Sequence, residues 1–189
     1  MRIVSGLYRG RRIEFPSHIR PTQDKVRQAV FDTLAGVVRG ARVLDLYAGS
    51  GAMGLEALSR GAREAVFIEK DKRVFAALLR NIEAAGAGGQ AEAFLKNAGL
   101  ALLILAKKRR LFDCILADPP YHKGLAKKTL QTLGAGGILA PHGFVVIEHG
   151  RQEPLPEGEG VLRLFRQGRF GMIRVSFYQK AVRPGAKEA

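Results

Sequence analysis

Short apolar runs alternate with amphipathic segments along most of this chain, and the alternation begins near residue 42. Apolar runs typical of buried strands occur at 42–47, 65–69, 91–95, 112–117 and 144–148. Helical spacing of apolar residues occurs between them, at 52–59, 72–85, 98–108 and 125–133. Because strands that alternate with helices usually pair in parallel, the pattern predicts an α/β fold with a doubly wound, mostly parallel sheet.

The two ends of the chain differ from the middle. Near the C-terminus two apolar runs, 161–166 and 172–178, flank a segment with two glycines, which predicts an antiparallel hairpin that closes the sheet. Near the N-terminus a small β-hairpin is expected within residues 1–20, followed by a helix over about 24–34. The predicted units are a basic N-terminal hairpin and helix, a main domain and a flexible tail, at 1–36, 37–182 and 183–189.

The chain is strongly basic, with 31 Lys and Arg against 17 Asp and Glu and a formal net charge of +14. Three segments, 1–40, 107–128 and 151–189, hold this excess, with eight basic residues against three acids, seven against two and eight against four. The remaining residues are neutral overall. A neutral half beside basic segments indicates a surface for a polyanion such as nucleic acid. Solubilising charge or an arginine-rich genome would give a similar count.

Cysteine, histidine and hydropathy exclude several classes of protein. The single cysteine, Cys114, lies inside an apolar run, so it is expected in the core and excludes a disulfide framework and a cysteine-rich zinc site. No His, Cys and Asp cluster has metal-ligand spacing, so no metal is expected. No apolar run approaches the ~18 residues of a membrane span, and no signal-peptide pattern is present. We therefore expect a cytoplasmic protein with no membrane partner, and a monomer.

A glycine-rich loop follows the first predicted strand, with Gly49, Gly51 and Gly54 in G-x-G-x-x-G spacing and Glu69 at the end of the next strand. This spacing is typical of dinucleotide sites, as in a dehydrogenase. Asp45 argues against one, because its carboxylate would face the same cavity and repel two phosphates. S-adenosylmethionine carries an ammonium and a sulfonium group instead, so Asp45 favours it. Glu69 would accept hydrogen bonds from the ribose hydroxyls of either cofactor.

A second motif, Asp118-Pro119-Pro120-Tyr121, ends the fourth predicted strand. Each proline fixes φ at about −65° and has no N–H, so the backbone is held extended. The motif presents a carboxylate, outward carbonyls and a flat ring, which together suit an exocyclic amine on a planar base. Because ligands of open α/β sheets bind beyond the carboxyl ends of the strands, we expect Asp45, Glu69 and Asp118 to share a pocket.

At this point the chain resembles a known family, the bacterial RsmD methyltransferases that modify one guanine N2 in small-subunit ribosomal RNA. The resemblance covers nearly the whole chain and rests on the segments 2–6, 9–11, 20–22, 26–31, 44–51, 54–62 and 118–121. The Asp-Pro-Pro-Tyr motif is shared by many amino-methyltransferases. The N-terminal segment with Arg20-Pro21-Thr22 is much more specific to this family. The resemblance implies a Rossmann-like class I methyltransferase domain, S-adenosyl-L-methionine as cofactor, and 16S ribosomal RNA or the small ribosomal subunit as partner.

Functional residues are expected in three sets. The catalytic set is Asp118, Pro119, Pro120 and Tyr121. The cofactor-binding set is Thr22, Asp45, Tyr47, Gly49, Ser50, Gly51, Glu69, Lys70, Asn97 and Ala98. The RNA-binding set is Arg9, Arg11, Arg12, Arg20 and Lys123. Asn97 departs from the family, which usually has an Asp there that meets the adenine amino group. The side-chain carbonyl of Asn97 can accept the same hydrogen bond.

Two alternatives stay open. A DNA or RNA adenine-N6 or cytosine-N4 methyltransferase uses the same Asp-Pro-Pro-Tyr motif, although such enzymes commonly add a recognition domain for which this chain has little room. A non-catalytic nucleic-acid-binding protein with a vestigial cofactor pocket would also be basic. Intact acids at Asp45, Glu69 and Asp118 argue against that second alternative.

Overall fold

The computed structural model describes residues 1–15, 24–121 and 123–181. The helices in these ranges are α1 (Asp24–Thr33), α2 (Ala35–Val38), α3 (Ala52–Ser59), α4 (Lys72–Ala84), α5 (Ala98–Lys107) and α6 (Leu125–Gly134). The strands are β1 (Arg42–Asp45), β2 (Glu64–Glu69), β3 (Ala91–Leu95), β4 (Phe112–Ala117), β5 (Leu139–Gly150), β6 (Gly158–Glu159), β7 (Leu162–Phe170) and β8 (Ile173–Lys180). No helix within the described ranges is long and apolar enough to cross a membrane.

The strands form a sheet in the order β3-β2-β1-β4-β5-β8-β7-β6. Neighbours among β1 to β5 are parallel, whereas β8 pairs antiparallel with β5 and with β7. The predicted doubly wound sheet with an antiparallel C-terminal hairpin is thus confirmed. The winding reverses between β1 and β4, so the carboxyl ends of these two strands border the crevice in which such sheets bind ligands.

The C-terminal hairpin has a different turn from the expected one. The segment 167–171 was expected to be the turn, but β7 continues to Phe170 and the chain reverses at Gly171, which has a φ of 60°. Gly168 pairs with Val175 inside the ladder. Glycine weakens a strand without ending it, so pairing with β8 decided the conformation of this segment.

The N-terminal hairpin is held both by its own backbone hydrogen bonds and by the body of the protein. Its own β pairing is an isolated bridge between Arg2 and Arg12. Its turn lies against the end of α3, where the amide of Leu7 donates to the Ser59 carbonyl at 2.7 Å. Gly6 permits this approach, because its φ is 82° and a Cβ there would lie 1.8 Å from the Ser59 carbonyl oxygen.

A buried ion pair joins this hairpin to α1 and α3. Glu56 on α3 is fully buried and accepts the amides of Val4 and Ser5 at 2.8 and 3.0 Å. The Arg27 guanidinium on α1 is also fully buried and lies 3.5 Å from the same carboxylate. Arg27 donates in addition to the Arg2 carbonyl at 2.7 Å. Charges removed from water in this way need ion-pair partners, and each has a second one: Arg27 pairs with Asp24 at 3.0 Å and Glu56 with Arg60 at 2.9 Å.

The hairpin also contributes to the main apolar core. Ile3, Tyr8 and Ile13 are buried in the cluster that contains Val43 of β1 and Leu55 of α3. The division of the chain into units at residue 36 stays a prediction. The expected tail over 183–189 lies outside the described residues.

The third glycine of the G-x-G-x-x-G loop is required by packing. A Cβ at Gly54 would lie 2.2 Å from Cε1 of Phe67, so α3 can approach β2 this closely only with glycine there. Gly51 stands before the helix with a φ of 84°, which L side chains rarely adopt. The spacing that indicated a cofactor loop therefore also sets the distance between α3 and the sheet.

Candidate active site

A cavity of about 790 Å³ opens at the carboxyl ends of β1, β2 and β4. The residues predicted for the site that line it are Asp45, Tyr47, Gly49, Ser50, Glu69, Lys70, Asn97, Ala98, Asp118, Pro119, Pro120, Tyr121 and Lys123. Gly51 packs behind the loop, where a Cβ would meet the Leu78 side chain at 2.5 Å. Arg20 and Thr22 lie outside the described residues. The glycine loop and the Asp-Pro-Pro-Tyr segment thus face one space.

Asp45 is the most buried acid of the cavity, with an exposed fraction of 3%. Its Oδ2 accepts the amide of Gly54 at 2.9 Å, so it caps the first turn of α3, for which Gly51 offers no side chain. Burial raises the pKa of Asp45 to about 7; the Gly54 hydrogen bond opposes this shift and the nearby Glu69 charge adds to it. A cation bound beside Asp45 would favour the ionised form.

Glu69 fixes the glycine loop to the end of β2. Its Oε2 accepts the amide of Gly49 at 3.0 Å, and its Oε1 accepts the amides of Lys70 and Asp71 at 2.7 and 2.8 Å. A carboxylate has about four acceptor positions. Glu69 therefore organises the loop and retains capacity to accept a ligand hydroxyl.

The side chains of Asn97 and Tyr47 each form a hydrogen bond within the protein. The Asn97 Oδ1 accepts the amide of Gly99 at 2.9 Å and so caps the N-terminus of α5. An amide oxygen has two lone pairs, so this cap is compatible with a further bond to a ligand amine. The Tyr47 hydroxyl lies 2.8 Å from Oγ1 of Thr129 on α6, which holds the Tyr47 ring as a wall of the cavity.

The Ser50 hydroxyl is buried at the cavity wall and has no hydrogen-bond partner among the described residues. Such a group costs about 1–3 kcal/mol, which a hydrogen-bonding ligand would recover. Beside this hydroxyl the cavity presents the carboxylates of Asp45 and Glu69. This donor and acceptor set suits a ligand with ammonium and hydroxyl groups better than one with phosphates.

The Asp-Pro-Pro-Tyr segment is held by an acid that sequence reasoning missed. The Tyr121 hydroxyl donates to the carboxylate of Glu148, which is buried on β5 and lines the same cavity. The strand containing Glu148 was predicted, but the residue received no role. A signal was present, since Glu148, like Glu69, is an acid at the end of an apolar run.

Cys114 lies in the core, as the sequence predicted, and is fully buried in β4. Burial, together with the Asp113 and Asp45 charges, raises the pKa of its thiol to about 12. A thiol that keeps its proton is a poor nucleophile. In the part of the chain that the structure describes, no group of three or more His, Cys, Asp or Glu is arranged to hold a metal ion.

The N-terminal arginines predicted to bind RNA lie away from the cavity. Arg11 donates to the Ala85 carbonyl at the C-terminal end of α4, and its guanidinium lies 5.0 Å from the centre of the Tyr8 ring. α4 begins next to the cavity and has 13 residues, so its far end is ~20 Å from the cavity edge. Arg9 and Arg12 are exposed on the same hairpin. A role in RNA binding stays a prediction for all three.

Residues 1–179 match a family model described as Conserved hypothetical protein 95. The chain is 36% identical over 182 residues to the ribosomal RNA small subunit methyltransferase D of Escherichia coli (strain K12), covering 95% of this chain and 90% of that protein. It is 30% identical over 181 residues to the protein of the same name from Haemophilus influenzae, covering 95% and 93%.

Solved structures show the same similarity. The yhhF protein from Escherichia coli superposes with a TM-score of 0.84 at 37% identity, over 95% of this chain and 97% of that chain. A hypothetical protein from Thermus thermophilus gives 0.83 at 31%, over 94% and 98%. An RNA methyltransferase from Salinibacter ruber, solved in complex with S-adenosyl-L-homocysteine, gives 0.66 at 18%, over 89% and 100%, and so shows the fold alone. The family-model match and the identities across nearly the whole length show that the chain belongs to the Conserved hypothetical protein 95 family, which is the RsmD family.

Proposed function

We propose that this protein transfers a methyl group from S-adenosyl-L-methionine to the exocyclic N2 amine of a guanine in 16S ribosomal RNA. As a member of the RsmD family it is an S-adenosylmethionine-dependent rRNA methyltransferase, and the choice of guanine N2 is the finer part of the proposal. One observation carries it: the Asp118–Tyr121 segment lines the same cavity as Asp45 and Glu69. Methyl transfer requires an amine-binding group and a cofactor site within one space.

The cavity residues fit S-adenosylmethionine, which when bound supplies a methyl group on a positively charged sulfur. We assign Asp45 to the amino group of the cofactor and Glu69 to its ribose hydroxyls. Asn97 would accept a hydrogen bond from the adenine amine, and the buried Ser50 hydroxyl would gain a partner. The proposed cofactor-binding set also includes Thr22, Tyr47, Gly49, Gly51, Lys70 and Ala98.

The Asp-Pro-Pro-Tyr segment then acts on the base. Guanine N2 is a poor nucleophile because its lone pair is delocalised into the ring. The Asp118 carboxylate and the Pro119 carbonyl accept its two N–H bonds, orient the nitrogen and stabilise the positive charge that develops on it. Pro120 keeps the segment extended, and Tyr121 stacks on the base after it has left its own stack. Glu148 fixes the Tyr121 ring through its hydroxyl.

The test is transfer of label from methyl-labelled S-adenosylmethionine to naked 16S rRNA, assembled small subunits and duplex DNA, followed by nucleoside analysis. We expect N2-methylguanosine in one or both RNA substrates. Label recovered as N6-methyladenine or N4-methylcytosine would replace the guanine proposal by one of its alternatives. Cofactor binding without transfer to any of the three substrates would favour the vestigial pocket.

Replacing Glu69 by alanine is expected to weaken S-adenosylhomocysteine binding roughly 10- to 100-fold, because bonds to a charged acceptor are lost from both the ligand and the loop. The rate at saturating cofactor should change much less. Calorimetry and steady-state kinetics separate the two effects. Glu64→Ala, at the opposite end of β2 beside Arg110, is the matched control and should bind normally. A slower rate with unchanged affinity would refute the assignment of Glu69.

The pH dependence of cofactor binding should report Asp45. Its folded-state pKa of about 7 lies above the usual 3.8, so the carboxyl is protonated below pH 7. A ligand ammonium requires the ionised form, so S-adenosylhomocysteine affinity should rise about tenfold per pH unit below pH 7 and level off above it. Calorimetry in buffers of different ionisation enthalpy should show proton release on binding in the acidic range. Asp45→Asn should remove both effects; an unchanged profile would exclude Asp45 as their source.

A further inference from the structure

Glu148 is a buried acid at the end of the cavity away from Glu69. It is 7% exposed and lines the cavity from β5. Glu69, which we assign to the ribose of the cofactor, ends β2, and β1 and β4 lie between β2 and β5 in the sheet. Neighbouring strands are ~4.8 Å apart, so about 14 Å separates the strands of these two acids. Glu148 therefore lies beyond the reach of a group bound to Glu69.

Glu148 is a neighbour of the Asp-Pro-Pro-Tyr segment. Ala117 at the end of β4 pairs in parallel with Ile147 of β5. The residues that follow them, Asp118 and Glu148, are therefore side by side at the carboxyl edge of the sheet, and both line the cavity. The Tyr121 hydroxyl donates to the Glu148 carboxylate. Two carboxylates and one aromatic ring thus meet at this end of the cavity.

Apolar side chains surround Glu148 on the same face of the sheet. Val175 on β8 is directly opposite Glu148, so their side chains project from one face. Val146 and Ile173 lie two residues earlier on the same two strands and share that face, because successive side chains alternate. All three line the cavity, together with Val30 of α1. An apolar space bordered by carboxylates suits a flat base whose edge carries hydrogen-bond donors.

The bases that carry an exocyclic amine differ in the ring nitrogen beside that amine. In guanine, the N1 atom next to the N2 amine carries a hydrogen and is a donor. In adenine and in cytosine, the ring nitrogen next to the amine has a lone pair and is an acceptor. A carboxylate only accepts hydrogen bonds. Two adjacent carboxylates therefore match the two neighbouring donors of guanine and oppose the donor and acceptor of the other two bases.

We infer, on the basis of the proposed function, that Glu148 selects guanine by accepting its N1–H while Asp118 binds the neighbouring N2 amine. A carboxylate has about four acceptor positions, so this bond is compatible with the one from the Tyr121 hydroxyl. With adenine or cytosine, a lone pair would face the buried Glu148 carboxylate and no hydrogen bond would form. Enzymes that extrude a base commonly read it in this way, along its Watson–Crick edge.

The test uses 2-aminopurine, which keeps the C2 amine of guanine but has a lone pair at N1. The methylated guanine is located by mass spectrometry of RNA fragments and replaced by 2-aminopurine in 16S rRNA ligated from a synthetic segment, in the naked or assembled form that the enzyme accepts. The wild type should prefer guanine roughly 10²-fold in kcat/KM for RNA. Glu148→Gln should lower this preference by about tenfold or more. The Tyr121 hydroxyl holds the amide oxygen of the variant, so its NH₂ group faces the N1 atom.

Two controls separate reading of the base from support of the Tyr121 ring. Tyr121→Phe removes the hydroxyl that bonds to Glu148 and should slow transfer to guanine and to 2-aminopurine alike, so the preference is kept. Glu159→Gln changes an acid on the outermost strand, β6, and should behave as the wild type. Calorimetry should give wild-type S-adenosylhomocysteine affinity for Glu148→Gln, which shows that the variant is folded.

The outcomes separate this inference from the proposed function. Guanine methylation with a preference that Glu148→Gln leaves unchanged, or that Tyr121→Phe lowers equally, would overturn the role of Glu148 and leave the guanine proposal standing. A wild type without any preference would do the same. Label on adenine or cytosine would remove the guanine proposal and the inference with it. If Glu148→Gln does not fold, Glu148→Asp replaces it. Its shorter side chain should lower the preference partly, and an unchanged preference would count against the inference.

Discussion

The Asp118→Ala variant is expected to bind S-adenosylhomocysteine with wild-type affinity and to transfer methyl groups on the order of 10²- to 10³-fold more slowly, the usual loss when one group that stabilises transition-state charge is removed. The carboxylate accepts an N–H bond that strengthens as the nitrogen becomes positive. Its contribution therefore appears in the rate and not in cofactor binding. Single-turnover transfer to 16S rRNA, at saturating enzyme and cofactor, measures this step apart from product release.

Two further variants test whether the loss of rate is specific to the Asp118 carboxylate. Asp113→Ala removes a carboxylate from the other end of β4, where it pairs with Arg42, and should lower stability while leaving the transfer rate near normal. Asp118→Asn keeps one acceptor oxygen without the charge and should fall between wild type and alanine. A wild-type rate in Asp118→Ala would show that the segment is not catalytic. Loss of S-adenosylhomocysteine binding would show that Asp118 is a cofactor ligand.

Much of the site could be predicted because its chemistry lies at strand ends. Asp45 and Glu69 end their strands and Asp118 directly follows its strand, and parallel strands bring their carboxyl ends to one edge of the sheet. The alternation of strands and helices determined the sheet, and the sheet brought these acids together. The three acids are far apart in the sequence, but the fold class alone predicts that residues at strand ends meet at this edge of the sheet.

Contacts between distant side chains were beyond the sequence. Tyr121 and Glu148 are 27 positions apart in the sequence, and no periodic pattern predicts that their side chains form a hydrogen bond. Charge was equally ambiguous, because Arg11 was assigned to RNA, yet in the structure it contacts Tyr8 and the end of α4. Asn97 shows a missed local rule, since Asn directly before a helix is a preferred cap. Local chemistry could have suggested that cap, whereas only the fold shows which arginines face the cavity.

The largest loss of stability is expected from Glu56→Ala, at about 3–5 kcal/mol. The substitution removes one of the two carboxylates beside the buried Arg27 guanidinium, with Asp24 left at 3.0 Å, and it removes the acceptor of the Val4 and Ser5 amides. These groups lie where water cannot readily replace the lost partner. Urea unfolding followed by circular dichroism measures the change in unfolding free energy, with an unchanged slope against urea if two-state behaviour is kept.

This variant should also bind the cofactor less well, although Glu56 does not line the cavity. The N-terminal segment continues from the Glu56 contact to Glu14, whose amide donates to the Asn81 Oδ1 at 2.7 Å. Asn81 in turn donates to the Ser50 carbonyl of the glycine loop at 2.9 Å, and Phe15 lines the cavity. Loosening the segment therefore loosens the loop, and S-adenosylhomocysteine affinity should fall under conditions in which the variant is still folded.

A double-mutant cycle distinguishes the ion pair from general damage to the core. Glu56→Leu and Arg27→Met should each be destabilising, whereas the double variant should be more stable than the sum of the two losses predicts, because neither fully buried member of the pair is then left without the other. Glu14→Ala breaks the exposed Glu14–Arg80 pair on the same segment and should change stability much less. Additive losses in the cycle would mean that Glu56 acts through the backbone amides and Arg60, and that its proximity to Arg27 contributes nothing to the coupling.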